Sequence, residues 1–327
     1  MEAPLDRKGR EPVSVIVTVR NEEASIDALL DSLLHGSRPP DEIVVADGGS
    51  TDRTVERLRE RSASDPRVRL LSAPGNRSVG RNAAAGAARS PIIACTDAGA
   101  QVEAGWLERI TAPFASDPDV DVVAGFYRPE GRTWFERAAG VVSAPRLVEL
   151  RRDRFLPSTR SVAFRKSAWE SVGGFDERWD HNEDTPFALA LRRGGHRFAF
   201  APDAIVRWRP RGDLPSFWRQ HRRFGFGDGE SRVQGWFYGA IGVKYLLALT
   251  LFALGFRWRI AWTILLAGGI LFIASQARRG RDRVSAPVAW LLVPVLKIVY
   301  DAAYLWGYAR GRLTGAVRRS TSVRAPQ

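Results

Sequence analysis

The strongest constraint on the fold is an alternation, within the first hundred residues, of short apolar runs and helical apolar patterns. Val13–Val19 reads VSVIVTV, a β-branched run of the length and character of a strand buried on both faces of a parallel sheet. A helix signal follows from Asn21, with Glu22 and Glu23 in its first turn, where they suit the dipole, and Ile26, Leu29, Leu30, Leu33 and Leu34 on one face. Pro39 and Pro40 break that helix. Strands are then expected at 42–46, 68–72 and 91–96, and helices at 54–61 and 79–88. Strand and helix at this spacing predict an α/β fold with a mainly parallel sheet and helical crossovers. Ligands on such sheets gather at the carboxyl ends of the strands.

Three polar clusters fall at those ends. Thr18, Arg20, Asn21 and Glu22 follow the first strand, Asp47 to Asp52 the second, and Asp97-Ala98-Gly99 the fourth. Each alone is compatible with an ordinary Asx or glycine turn; their convergence on one sheet edge points to a ligand site. Farther on, Glu183-Asp184 stands before Thr185-Pro186, a good helix start that would also hold a carboxylate rigidly.

The ordered series VSVIVTVRNEE, EIVVADGGSTDRT, GRNAAAGAA, TDAGA, VAFRKSAWESVGGFDE and NEDTPFALALRRGG, spread over roughly residues 13–230, resembles the family 2 glycosyltransferases of the GT-A, nucleotide-diphospho-sugar transferase fold. The resemblance implies sugar transfer from a nucleotide-sugar donor on a single open sheet. Thr18, Arg20 and Glu22 match positions beside the nucleotide. Asp47 matches the carboxylate that accepts from the base's imide N–H, a job for an acceptor-only group. Arg81, at the family's basic position next to Asn82, would face the diphosphate; the competing reading is a solvated arginine at a helix start. Asp97 matches the first carboxylate of the DxD metal motif, and Gly99 stands where the second Asp is usual. Mg²⁺ or Mn²⁺ bridging phosphates needs only one or two carboxylates, so Asp97 alone suffices in one reading; in the other, arginine neutralises the charge without a metal.

Gly173, Gly174 and Phe175 close a helix begun near Lys166 and lead toward Asp184. In the family the aspartate of the Glu-Asp pair is the general base of an inverting displacement, a role the resemblance assigns to Asp184, with Glu183 beside it, turned away or orienting it. Arg160 and Ser161 stand where the family places acceptor and phosphate contacts. Gln220-His221-Arg222-Arg223-Phe224 resembles the QxxRW motif of membrane-bound members, with Phe224 in place of Trp and Gln220 and Arg223 carried over. An interfacial helix with its arginines toward lipid headgroups reads the same residues equally well. His181, His196 and His221 lack the spacing of a metal triad and read as surface or supporting residues.

Residues 238–256 are apolar for about nineteen positions, the length of a bilayer crossing, and Lys244 near their start can snorkel. A second apolar run covers 260–275. The loop Arg278-Arg279-Gly280-Arg281-Asp282-Arg283 favours a cytoplasmic position for itself and for the catalytic domain. A third stretch, 286–306, carries Lys297 and Asp301 at i,i+4 spacing. Either these pair within a true span, leaving Arg310, Arg312, Arg318, Arg319 and Arg324 outside, or the segment is re-entrant or interfacial.

The expected organisation is a polar tail over 1–12, a GT-A domain over 13–232, a membrane region of two or three helices over 236–309 and a basic tail over 310–327. The polar start lacks the apolar core of a signal peptide. A formal charge of +13 asks for an anionic partner; the basic residues follow no nucleic-acid module, and a membrane accounts for them. Cys95, the one cysteine, excludes an internal disulfide and reads as a small hydrophobe buried in a strand. The expected function is an inverting, multi-pass membrane glycosyltransferase taking a UDP- or GDP-sugar to a lipid-linked or membrane-proximal acceptor in cell-envelope glycan or glycolipid synthesis. The alternative is a catalytically weak nucleotide- or carbohydrate-binding scaffold of a glycan-assembly complex.

Overall fold

The computed structural model describes residues 10–150, 155–179 and 181–322, with side chains as far as residue 315. Of the tails named above, residues 1–9 and Arg324 lie outside the described residues, as do the side chains of Arg318 and Arg319. The chain forms two units, one of residues 1–128 and 146–208, the other of 129–145 and 209–327.

The first unit opens with the expected alternation: β1 (Val13–Val19), α1 (Ile26–Leu34), β2 (Glu42–Asp47), α2 (Thr54–Ser64), β3 (Val68–Ser72), α3 (Arg77–Ala87) and β4 (Ile92–Asp97). Every residue of β2 is buried, as is nearly all of β1 and β4, because helices cover both faces of these strands. Strands β3-β2-β1-β4 are mutually parallel. Their registers pair Thr18 with Asp97 and Val19 with Asp47, so the carboxyl ends that carry the polar clusters finish level.

The sheet then changes sense. β5 (Ala100–Val102), α4 (Trp106–Ser116), β6 (Val122–Pro129), α5 (Trp134–Ser143), β7 (Val162–Arg165), α6 (Lys166–Ser171), α7 (Asp184–Arg193) and β8 (Phe198–Trp208) complete an eight-stranded sheet of order β3-β2-β1-β4-β7-β6-β8-β5. β7 runs antiparallel to both β4 and β6, and β5 antiparallel to β8, so the sheet is mixed. Parallel character holds where each strand is followed by a helical crossover; beyond β4 the chain returns strand against strand. Gly125 lets β6 approach this half closely: a Cβ there would lie 2.9 Å from the Ala204 carbonyl oxygen and strike Ser161 Oγ.

The helix expected from Asn21 begins five residues later, at Ile26. Asn21 has φ +58°, and three consecutive N–H groups, of Asn21, Glu22 and Glu23, donate to Ser50 Oγ, Thr54 Oγ1 and Asp52 Oδ2 at 2.9, 2.8 and 3.2 Å. Those donors are committed to the neighbouring turn, so the helix starts only after it.

The second unit contains α5, an excursion from between β6 and β7, together with α8 (Leu214–Ser231), α9 (Gly235–Gly255), α10 (Arg259–Gly280) and α11 (Val293–Ser322). α8 falls in this unit because it packs along α11. The two helices run parallel through a glycine seam. A Cβ on Gly225 or Gly229 would strike the carbonyl oxygen of Tyr304 or Tyr308, and one on Gly307 or Gly311 that of Arg222 or Phe226. Small residues at such spacing let backbones touch.

Three helical stretches, Gly235–Gly255, Arg259–Gly280 and Val288–Gly315, are long and apolar enough to cross a membrane. Lys297 and Asp301 do pair, at 2.5 Å, and Lys244 joins them at 2.6 Å from the other carboxylate oxygen, so Lys244 has an ion-pair partner and does more than snorkel. Tyr245 donates to the same carboxylate at 3.1 Å. Of the two readings of His221, surface or supporting, its burial favours the second. The histidine is buried on α8, with Phe217 O 2.8 Å from Nδ1 and Ser143 Oγ 3.1 Å from Nε2, and burial pulls its pKa down to about 4.

Candidate active site

At the ends of β1 and β2 two loops are knitted into one surface. Asp47 accepts from the N–H groups of Gly49 and Ser50 at 3.0 and 3.1 Å and from the Ser50 hydroxyl at 2.5 Å. Asn21 Oδ1 accepts from Thr51 N at 2.8 Å, and Glu23 Oε2 from Arg53 N at 2.9 Å. The Asp47 turn is thus an Asx turn in its own right while it shapes the edge where a nucleotide would lie. Arg20 is exposed beside it; Thr18 gives its methyl to α3, where a Cβ on Gly80 would stand 2.8 Å away.

The chemistry-bearing residues meet one strand over, at the end of β4. Arg81 is not a solvated helix-start residue: it sits in the middle of α3, 2% exposed, its guanidinium paired with Glu183 and, at 3.2 Å, with Asp97. A buried guanidinium holds such a position only when paired. Burial, the largest single effect, works against its charge, and the Glu183 and Asp97 carboxylates act with their neighbours to outweigh it, so its pKa is raised. Arg160 approaches the other oxygen of Asp97 at 3.5 Å. Burial alone would raise Asp97; Arg160, Arg81 and Arg77 together hold its carboxyl below the ordinary value.

Glu183 and Asp184 divide as their two charges require. Asn182, with φ +57°, turns the chain, as Asn21 does before Glu22. Glu183 then points into the ion pair with Arg81, and Asp184 opens α7 with Oδ1 accepting from Thr185 N at 2.9 Å. Burial, followed by the Glu183 carboxylate, raises the pKa of Asp184, against the pull of Arg81 and a hydrogen bond from Ser158. A carboxyl raised in this way is a better proton acceptor once ionised.

The supporting frame explains the glycine-rich approach to this pair. Asn82 accepts from Phe175 N at 2.8 Å and donates to Phe175 O at 2.7 Å, clamping the 173–175 loop. Gly174 has φ +75°, and a Cβ there would lie 2.6 Å from Asn82 Oδ1. Phe175 then stacks on Phe187 at 4.0 Å, with the Arg81 guanidinium 5.7 Å from its ring centre. Cys95 lies buried in β4 as expected, its thiol pushed up to about 12 by burial.

Arg81, Asp97, Arg160, Glu183 and Asp184 are therefore brought together. Ser161 is structural: it accepts from Trp106 Nε1 at 2.9 Å and donates to Ala204 O at 3.1 Å. Gln220, Arg223 and Phe224 lie on α8, in the second unit, where Gln220 accepts from Arg211 at 2.9 Å, Arg223 is exposed and Phe224 is edge-on to His221. Asn82, Tyr127 and Trp208 were missed as site residues. The Arg160 guanidinium lies 4.9 Å from the Tyr127 ring centre and 4.7 Å from that of Trp208. Both aromatics end strands of the antiparallel half, where no motif marks them.

Among the described residues no group of three His, Cys, Asp or Glu side chains could hold a metal ion. Asp97 is the one carboxylate at the metal-motif position, about one-third exposed. The space left by Gly99 faces another acid: a Cβ there would be 3.8 Å from Glu22 Oε2.

The mixed sheet, and the charged cluster at the end of its parallel half, define a GT-A glycosyltransferase. The chain belongs to glycosyltransferase family 2, whose model matches residues 14–178, half of its length and ending just before Glu183. It is 25% identical over 311 residues to the succinoglycan biosynthesis protein ExoA of Rhizobium meliloti, covering 89% of this chain and 93% of that protein. Over 75 residues, 22% of this chain and 23% of the other, it is 40% identical to an undecaprenyl-phosphate 4-deoxy-4-formamido-L-arabinose transferase of Pectobacterium carotovorum. The fold is similar to that of a mannosyltransferase from Pyrobaculum calidifontis solved with GDP-mannose and Mn²⁺, with a TM-score of 0.67, 20% identity, and 93% and 90% of the two chains covered.

Proposed function

We propose that this glycosyltransferase inverts the anomeric centre of a nucleotide-sugar, with Asp184 as general base, and passes the sugar to a hydroxyl or phosphate of a lipid-linked or membrane-proximal acceptor in cell-envelope glycan synthesis. The observation that carries the proposal is the half-buried carboxyl of Asp184, raised in pKa, on the sheet edge where Arg81 and Arg160 flank Asp97. Asp184 takes the acceptor's proton as the acceptor oxygen bonds to the anomeric carbon. The bond from that carbon to the nucleoside diphosphate breaks, and the electron pair leaves on the β-phosphate.

Negative charge developing on the diphosphate needs fixed positive charge nearby. Arg160 supplies it directly, whereas Arg81 is largely spent on Glu183 and acts by holding Asp97 and Glu183 in place. Of the residues present, Asp97, already flanked by Arg81 and Arg160, would hold a divalent cation, which needs only one or two protein carboxylates when phosphates are bound. When bound, such an ion would neutralise phosphate charge. Thr18, Arg20, Glu22 and Asp47 would hold the nucleoside.

The likeness to a protein named for undecaprenyl phosphate, together with three helices fit to cross a membrane, supports a lipid-linked acceptor. The arginine loop at 278–283 supports a cytoplasmic catalytic domain. The purified full chain, incubated with UDP- and GDP-sugars and membrane lipid extract, is expected to release nucleoside diphosphate and yield a product of inverted anomeric configuration by NMR. Donor binding without turnover would favour a scaffold, and retained configuration would remove the single-displacement mechanism.

A further inference from the structure

Trp208 carries a polar group with no partner in the cluster around Asp97. The residue is 9% exposed, and its Nε1–H is buried with no hydrogen-bond partner among the described residues. A buried donor without an acceptor is costly, and the cost is removed when a ligand oxygen arrives. The β5–β8 ladder pairs Trp208 with Ala100, three residues beyond Asp97, so the backbone fixes this donor beside the diphosphate motif. The Arg160 guanidinium lies over the Trp208 and Tyr127 rings, 4.7 and 4.9 Å from their centres, with its Nε 3.5 Å from Asp97 Oδ2.

We propose that Trp208 donates its Nε1–H to a phosphate oxygen held by Arg160, so that Tyr127, Arg160 and Trp208 form a phosphate subsite beside Asp97. Indole and guanidinium can only donate, which suits an anionic group that only accepts, and guanidinium geometry matches phosphate. The aromatic contacts pre-set the Arg160 rotamer, so Tyr127 and Trp208 are also positioning residues for it. The phosphate belongs either to the nucleotide or to a prenyl-linked acceptor. The subsite rests on the nucleotide-sugar reading and deepens it.

The test uses the detergent-purified full chain, calorimetric titration with UDP, GDP and farnesyl phosphate, and Trp208→Phe, which keeps an aromatic ring and removes the N–H. The variant is expected to melt at the wild-type temperature and to bind one phosphate class about tenfold or more weakly. Loss toward the nucleotides assigns the subsite to the donor; loss toward farnesyl phosphate assigns it to the acceptor. Unchanged affinity for all three, or a loss seen only alongside a lowered melting temperature, overturns the proposal. Failure of the underlying reading shows separately, as wild-type protein that binds neither nucleotide, and the subsite falls with it.

Discussion

Glu183 takes no proton in this account, yet its charge helps set the acidity of the residue that does. Burial and the Glu183 carboxylate raise Asp184, while Arg81 opposes them. Replacing Glu183 by Gln removes a negative neighbour and leaves the Arg81 charge less compensated; both changes lower the Asp184 pKa. The acid limb of the kcat/KM profile should therefore move to lower pH in Glu183→Gln, measured by initial rates across the acid range. A limb that stays in place or moves upward would separate Glu183 from the base. Asp97 and Asp184 stood out in the sequence as carboxylates at a strand end and a helix start, whereas Arg160 was named only through the family resemblance. The burial of Arg81 was not legible there, since its partner Glu183 is 102 residues away. Trp208 escaped notice because one tryptophan at a strand end has no pattern to distinguish it from core.

Among the elements, periodicity exposed the parallel strands, whose continuous apolar runs have few other interpretations. It failed at α1, where side chains of the 50–54 turn capture the N–H groups of Asn21, Glu22 and Glu23. It was also silent on the pairing of α8 with α11, because a glycine seam signals only where two backbones can meet, not which two. That seam is testable. Gly311→Ala would drive a methyl into the Phe226 carbonyl oxygen and should destabilise the second unit by about 1–3 kcal/mol, seen as a lower melting temperature in detergent. Gly268→Ala, with nothing within 4 Å of the added Cβ, should leave the melting temperature unchanged or slightly higher. Equal effects at both positions would dissolve the seam as an organising contact.

The molecule as a whole joins a sheet whose strand ends carry the chemistry to helices fit for a bilayer. Its one native cysteine is buried, with its thiol pushed up to about 12, so introduced cysteines can report orientation without background. With the catalytic domain cytoplasmic, Arg257→Cys, between α9 and α10, should react with an impermeant maleimide on intact cells. Arg281→Cys should react only after permeabilisation; the reverse pattern would invert the topology. The role of Asp184 in activating the acceptor is separable from donor binding. Its most direct test is Asp184→Asn assayed for both sugar transfer and nucleotide-sugar affinity. Transfer should fall by roughly 10²–10⁴-fold with donor affinity nearly intact, whereas turnover equal to that of the wild type would remove Asp184 from the mechanism.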